Sequence, residues 1–185
     1  MSELKAVNEI RDKNGLTEEE FLKGYDADKY PKPALTADIC VIAQNGAGKE
    51  ILLIKRGNHP FLGCWALPGG FADKNEPLEE TARRELEEET SIKGLSMQLV
   101  GVYSRPGRDP RGWTVSAAYK AAVDKAQVNA RAGDDAADAK WFKIQANGSE
   151  ITLVNEDVIL PVTAHAKGTA ALAFDHMEII ADALD

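Results

Sequence analysis

Three carboxylates on one predicted helix are the residues of this chain whose types and spacing point most directly to chemistry. Glu85 precedes Glu88 by three residues and Glu89 by four, so a helix places all three within an arc of roughly 100°. Like charges at this spacing destabilise a helix by roughly 0.2–0.5 kcal/mol per pair. Converging carboxylates without sulfur or imidazole are typical ligands of a hard cation, Mg²⁺ or Mn²⁺.

A bound Mg²⁺ usually keeps several waters and is completed by the phosphate oxygens of a substrate. The carboxylates therefore predict metal-assisted attack of water on a phosphate anhydride. The preceding segment, Pro68-Gly69-Gly70, allows close backbone approaches that a Cβ would obstruct. Pro77 suits the first turn of the helix. Apolar residues at every fourth position predict the stripe that packs on a sheet. They are Leu78, Ala82 and Leu86.

The spacing over residues 70–92 resembles the Nudix box, G-x5-E-x7-R-E-U-x-E-E-x-G-U, in which U is aliphatic. The matching residues are Gly70, Glu76, Arg84, Glu85, Leu86, Glu88, Glu89 and Ile92. The one departure is Ser91, which stands where the family has Gly. Because Gly eases the turn after a helix, Ser91 predicts a slightly strained exit but removes no ligand.

The resemblance implies a Nudix hydrolase of the α/β (α+β) class, an α/β/α sandwich with a mixed sheet. By analogy Glu85 and Glu89 are the principal metal ligands, and Glu88 is a further ligand or helps to activate water. The Gly69 carbonyl is an additional candidate ligand. The resemblance also implies an ion pair between Glu76 and Arg84 that orients the helix.

Segments outside the box resemble the ADP-ribose pyrophosphatase branch of the family. They are RGNHPFLGCWALPGGF, SRPGRDPRGW, AGDDAADAKWF and LAFDH. The resemblance implies hydrolysis of ADP-ribose to AMP and ribose 5-phosphate, with NADH, other nucleotide sugars and oxidised nucleoside triphosphates left open. The chain is similar also to ligand-sensing regulators of NAD metabolism. Those regulators carry a basic winged helix after the Nudix domain, and this sequence stops directly after its predicted closing helix, so an enzyme is expected.

Four arginines are candidate substrate ligands that could clamp a diphosphate or a terminal ribose. They are Arg56, Arg105, Arg108 and Arg111. The alternative for the last three is a solvated charged loop. Asp134 and Asp135, in a loop predicted over residues 130–138, are candidates for a general base or an outer metal ligand, against another solvated loop. Four aromatic residues could stack an adenine or belong to the core, and His59 and His176 are expected to be structural. The aromatic residues are Phe61, Trp65, Tyr103 and Trp113.

Apolar alternation predicts strands at residues 34–43, 50–56, 95–105, 113–123, 140–144, 151–153 and 158–162, the first two forming a hairpin. A capping box predicts a helix over residues 17–24, and a closing amphipathic helix is predicted over residues 174–184. Residues 34–185 would form the hydrolase domain. Residues 1–33 would be a lead-in packed on it or part of a dimer contact, so a homodimer stays open.

Composition excludes some classes of function. The net charge of −8 argues against broad binding to nucleic acid or to an anionic membrane, which needs a basic surface. No stretch approaches the ~18 apolar residues of a membrane span, and no signal peptide is evident, so a cytoplasmic protein is expected. Cys40 and Cys64 form neither a zinc spacing nor a disulfide framework and are expected to be reduced thiols.

Overall fold

The computed structural model describes residues 10–46, 48–128, 136–148, 150–156, 158–162 and 171–185. The described residues fall into two compact units, which divide between Lys32 and Pro33. The role of residues 34–185 as a separate functional domain stays a prediction. None of the helices formed by the described residues combines the length and the hydropathy that crossing a bilayer requires.

The first unit contains helix α1, Glu18–Gly24. Thr17 caps it, because the Thr17 hydroxyl accepts from the Glu20 N–H at 3.2 Å while the Glu20 carboxylate accepts from the Thr17 N–H at 2.8 Å. This reciprocal pair is the capping box that the sequence predicts. No residue of α1 is buried, and Phe21 and Leu22 are exposed.

The second unit is built on one sheet. Its strands are β1 Ala34–Asn45, β2 Gly48–Arg56, β3 Trp65–Ala66, β4 Gly69–Phe71, β5 Gln98–Tyr103, β6 Thr114–Val123, β7 Ala136–Asn147, β8 Glu150–Asn155 and β9 Val158–Pro161. Their order is β5-β6-β1-β2-β7-β8-β9, while β3 pairs with β2 and β4 pairs with β1. Strands β1 and β6 are parallel and the other pairs are antiparallel, so the predicted mixed sheet is confirmed.

Helices cover both faces of this sheet. Helix α2, Leu78–Thr90, packs Ala82 and Leu86 against one face. Helix α3, His176–Leu184, packs Ile179 and Ile180 against the other. The central strands contribute to the cores on both faces because successive side chains point to opposite faces. In β1, for example, Cys40 packs in the core under α3 and Val41 in the core under α2. The predicted α/β/α sandwich is therefore confirmed.

Several predicted boundaries are wrong. Strand β5 covers residues 98–103 rather than 95–105. Strand β7 begins at Ala136, so Asp138 lies in a strand opposite Lys55 and not in the predicted acidic loop. Hydrogen bonding to β2 extends β7 through small and acidic residues whose own strand propensity is low, because tertiary pairing overrides that propensity.

Helix α2 ends at a strained residue. Ser91, its C-cap, has φ of 61° and ψ of 14°, and its N–H donates to the Glu87 carbonyl at 2.8 Å. This left-handed conformation costs an L-residue roughly 1–2 kcal/mol and glycine nothing comparable. The strain that the sequence predicts at the helix exit therefore follows from the backbone angles.

We expect Ser91→Gly to raise the free energy of unfolding by up to about 1 kcal/mol. The free energy gained by relieving the backbone strain exceeds the cost of the larger conformational entropy that glycine gives the unfolded chain. Urea denaturation followed by circular dichroism measures it. Ser96→Gly is the matched control, because Ser96 is not among the residues with positive φ and should lose stability slightly. A Ser91→Gly protein no more stable than the parent would contradict this account.

Candidate active site

The carboxylate helix is fastened to the preceding segment by one arginine. Arg84 Nε and Nη2 donate to the two oxygens of Glu76, each at 3.0 Å, and Nη2 also donates to the Phe71 carbonyl at 2.9 Å. The Thr81 hydroxyl and the Asp73 N–H donate to the same carboxylate at 2.7 and 3.1 Å. Hydrogen bonds from Arg84, then from Thr81, lower the pKa of Glu76 to about 2. The structure thus brings together the pair that the sequence predicts.

Arg84 also contacts two of the three candidate metal ligands. Its Nη1 donates to Glu85 at 2.7 Å and to Glu88 at 3.2 Å. The hydrogen bond with Glu76 is the largest cause of the raised pKa of Arg84. One guanidinium therefore offsets much of the repulsion between neighbouring carboxylates. Glu85 is 14% exposed and Glu88 is 59% exposed, so Glu85 lies deeper.

Glycine backbones border the two deeper carboxylates. A Cβ on Gly70 would lie 2.5 Å from the Glu85 carboxylate, so a larger residue there would displace that carboxylate. Gly69 has φ of 153° and donates its N–H to Glu89 Oε2 at 2.9 Å. A Cβ on Gly69 would collide with β1 at the Ala37 carbonyl. Glu85 and Glu89 therefore stand against the start of β4.

The pKa values of Glu85 and Glu89 bear on whether these carboxylates suit a bound cation. Burial raises the pKa of Glu85, and burial raises the pKa of Glu89 to about 8. A divalent cation would restore the charged forms that burial disfavours, and oxygen donors suit Mg²⁺ or Mn²⁺. Over the part of the chain that is described, no three acidic, His or Cys side chains are arranged to hold an ion by themselves. Water and phosphate oxygens would then supply further ligands, as is usual for Mg²⁺.

A narrow groove of about 60 Å³ adjoins Gly69 and Gly70. Arg56 and Arg111 line it, together with the rings of Phe71 and Phe174. The Arg111 guanidinium lies 4.6 Å from the Phe71 centroid and 5.5 Å from the Phe174 centroid, and that of Arg56 lies 5.0 Å from Phe174. A wider groove of about 680 Å³ runs along α2, past Arg84 and Glu88 to Met97. The narrow groove is better placed for chemistry, because it combines the glycine edge with two guanidinium groups.

The two groove arginines differ in their partners. Arg111 forms an ion pair with Asp109 at 2.7 Å. Arg56 donates to the Pro60 carbonyl at 2.8 Å and forms no ion pair with any carboxylate of the described residues. Burial first, and then the charge of Arg111, lower the pKa of Arg56, while the charge of Glu89 raises it. Arg56 is thus a half-buried cation that pairs with no carboxylate in the described part of the chain, which favours an anionic ligand.

The structure separates the other two arginines from this pair. Arg108 is buried and donates to both oxygens of buried Asp175 at 2.8 and 2.7 Å. Its guanidinium borders the groove but is already paired. Arg105 pairs with Glu178 at 2.8 Å and is not among the residues that line the groove. The prediction that all four arginines bind substrate therefore receives geometric support for Arg56 and Arg111 alone.

The remaining candidates lie in different surroundings. Trp65 is buried and packs edge-on against Phe142, so it belongs to the core. The Tyr103 hydroxyl donates to Asp182, and Phe61 contacts Phe174. Trp113 is 58% exposed and remains open for stacking. Asp134 and Asp135 lie outside the described residues.

Sequence reasoning missed a buried polar cluster that lines part of the groove. Asp38 of β1 accepts from the Ser116 hydroxyl and lies 3.7 Å from Arg108 Nη2 and 3.5 Å from His176 Nε2. His176 is buried, as a structural histidine is expected to be, and burial lowers its pKa. The signal that could have revealed the cluster is the charged Asp38 inside the otherwise apolar segment ALTADICVIA.

Comparison with known proteins agrees with this architecture. Residues 33–159 match the NUDIX domain. The chain is 39% identical over 153 residues to an ADP-ribose pyrophosphatase of Methanocaldococcus jannaschii, covering 83% of this chain and 74% of that protein. A MutT/nudix family protein from Enterococcus faecalis has a TM-score of 0.81 and 38% identity, over 98% of this chain and 72% of that one. The NUDIX domain of Shewanella oneidensis NrtR, solved with ADP ribose, has a TM-score of 0.70 and 30% identity, over 91% and 97%.

The chain belongs to the Nudix hydrolase family, as its box indicates. Members of this family are pyrophosphohydrolases that typically depend on a divalent metal ion.

The Glu76–Arg84 pair predicts a dependence of stability on pH. The pKa of Glu76 is about 2 in the folded protein against an ordinary value of 4.5, so its contribution is complete above pH 4.5 and is lost as pH falls toward 2. Glu76→Gln should therefore lower the urea midpoint at pH 6, and its deficit should shrink progressively below pH 4.5. Glu87→Gln, which alters an exposed pair with Lys93, should change little. A deficit that stays constant down to pH 3 would contradict the assignment.

Proposed function

We propose that this protein hydrolyses the diphosphate of ADP-ribose to AMP and ribose 5-phosphate with the help of Mg²⁺ or Mn²⁺. One observation carries the proposal. Glu85 and Glu89, both partly buried, stand against Gly70 and Gly69, and Arg56 and Arg111 line the groove that the same two glycines border. A metal-bound diphosphate is complementary to that arrangement, because its oxygens satisfy the cation and the arginines together.

In this proposal Glu85 and Glu89 hold the ion, with Glu88 and the Gly69 carbonyl as further candidates. Bound there, the ion would polarise a phosphoryl oxygen and lower the pKa of a coordinated water. Arg56 and Arg111 bind the diphosphate and hold it in place for attack. The water oxygen forms a bond to one phosphorus while the bridging P–O bond breaks, which leaves one phosphate on each product. Glu88, Asp134 and Asp135 are the candidates to take the proton of the water.

The dimensions of the groove define which part of the substrate it binds. Its volume of about 60 Å³ is far below the ~300 Å³ at which pockets for whole ligands begin. The diphosphate therefore occupies the groove, and the nucleoside and terminal ribose extend beyond it. Phe71, which lines the groove and is 42% exposed, offers an aromatic surface to them, and exposed Trp113 is a further candidate.

A ligand-sensing role is the second candidate, because the NrtR domain to which this chain is similar was solved with ADP ribose. A sensor binds this ligand without turnover, whereas an enzyme releases AMP. Purified protein incubated with ADP-ribose and Mg²⁺, with products separated by chromatography, distinguishes the two. Binding without AMP at any divalent metal would favour the sensor and reject the hydrolase.

Glu89→Gln should reduce kcat for ADP-ribose by more than about 100-fold, since even the outer partners of metal ligands contribute 10–100-fold. The fold should remain, because Gln can still accept the Gly69 N–H. Steady-state assays with Mg²⁺ and a thermal unfolding control measure the two effects. Glu87→Gln on the same helix, exposed and paired with Lys93, is the matched control and should keep full activity. A fully active Glu89→Gln protein would remove Glu89 from the metal site.

Arg56→Gln should raise KM for ADP-ribose roughly 10- to 100-fold, the equivalent of one hydrogen bond to a charged group. A larger effect on KM than on kcat is expected, because the contact is made in the ground state as well as in the transition state. Arg105→Gln is the control, since Arg105 pairs with Glu178 away from the groove. An equal rise in KM for Arg56→Gln and Arg105→Gln would contradict the assignment of Arg56, and not Arg105, to substrate binding.

A further inference from the structure

A buried histidine joins helix α3 to the segment that leads into the carboxylate site. The Leu67 N–H donates to His176 Nδ1 at 2.9 Å, across 109 positions of sequence. Because Nδ1 accepts this bond, the proton of the neutral ring lies on Nε2, which faces Asp38 Oδ1 at 3.5 Å. The imidazole therefore bridges the main chain of residue 67 and the carboxylate of β1.

The Leu67–Gly69 segment is held at three successive residues. His176 accepts from Leu67, the Pro68 carbonyl accepts from the Ile39 N–H at 2.8 Å, and Gly69 donates to Glu89 at 2.9 Å. The imidazole bond thus lies two residues from the N–H that orients Glu89. A shift of the Leu67 main chain would move the donor of Gly69, because only Pro68 separates the two residues.

We propose that His176 is a positioning residue that sets the Leu67–Gly69 backbone and, through the Gly69 N–H, the orientation of Glu89. The proposal rests on the proposed function in treating Glu89 as a metal ligand. The role proposed for His176 requires no contact with the substrate, the metal or the attacking water, although its side chain also borders the groove.

Attachment of helix α3 alone does not require this histidine. Ile179 and Ile180 bury the helix in the core, and Tyr103–Asp182 and Arg105–Glu178 add two further ties. Among the hydrogen bonds and ion pairs of α3 with the described residues, the bond that His176 accepts is the one that involves the Leu67–Gly69 segment. Burying an imidazole costs free energy unless its polar atoms are bonded, and an apolar side chain would dock the helix at least as well.

The test compares His176→Asn, His176→Gln and His176→Leu with Tyr103→Phe. An Asn carbonyl can replace Nδ1 as the acceptor for Leu67, a Gln carbonyl reaches the position of Nε2 instead, and Leu removes both functions. Tyr103→Phe removes a different tie to α3 and controls for helix docking. Two measurements are made without substrate: Mn²⁺ binding by electron paramagnetic resonance, and hydrogen exchange of the Gly69 amide by NMR.

We expect the Leu and Gln variants to bind Mn²⁺ roughly 10- to 100-fold more weakly and to exchange the Gly69 amide faster. His176→Asn should recover most of the affinity, and Tyr103→Phe should match the wild type. If His176→Leu does not fold, the Asn and Gln variants decide between the outcomes. Wild-type affinity in the Gln variant, or an equal loss in Tyr103→Phe, would overturn the proposal. If the wild-type protein binds no Mn²⁺, the proposed function is wrong. The exchange rate of the Gly69 amide in the His176 variants would still show whether His176 sets that backbone.

Discussion

The close packing of Gly69 and Gly70 between strand β1 and helix α2 is the constraint on which the rest of the site depends. Each glycine lies where a Cβ would collide, Gly69 with the backbone of β1 and Gly70 with the Glu85 carboxylate. Strand β4 can therefore approach both elements, and the helix places Glu85 and Glu89 directly against main chain. The buried stripe of α2, which includes Ala82 and Leu86, keeps the helix at this distance from the sheet.

This packing brings several negatively charged glutamates together, and their charges are balanced only in part. Arg84 donates hydrogen bonds to Glu76, Glu85 and Glu88, whereas Glu89 accepts one backbone N–H and has a raised pKa of about 8. On the other side of the glycine edge Arg56 has no carboxylate partner among the described residues. A buried carboxylate without a cation and a half-buried cation without an anion are each unfavourable alone. A metal-bound diphosphate between them would relieve the two together.

Local pattern accounts for what the sequence could predict. The four-residue apolar repeat identifies the packed side of α2, and the capping box identifies α1, because in each case the deciding contacts lie within a few residues. The pairing of Glu76 with Arg84 follows instead from the resemblance to the Nudix box. Even the strain at Ser91 follows from a residue type that is disfavoured in a left-handed helix cap.

Long-range partners account for what the sequence could not predict. Arg108 is bound by Asp175 and Arg105 by Glu178, partners 67 and 73 residues away, so four similar arginines acquire different surroundings. His176 finds Leu67 across 109 residues, and Asp138 joins a strand because β2 is beside it. None of these pairings leaves a periodic signal in the chain.

The central claim is that the carboxylates of α2 and the two groove arginines hold one metal-bound diphosphate between them. A crystal structure with Mn²⁺ and an ADP-ribose analogue whose bridging oxygen is replaced by methylene tests it most directly. Anomalous scattering should locate Mn²⁺ beside Glu85 and Glu89, with the diphosphate between the ion and Arg56 and Arg111. Mn²⁺ bound away from both Glu85 and Glu89, or a diphosphate that contacts neither arginine, would contradict the claim.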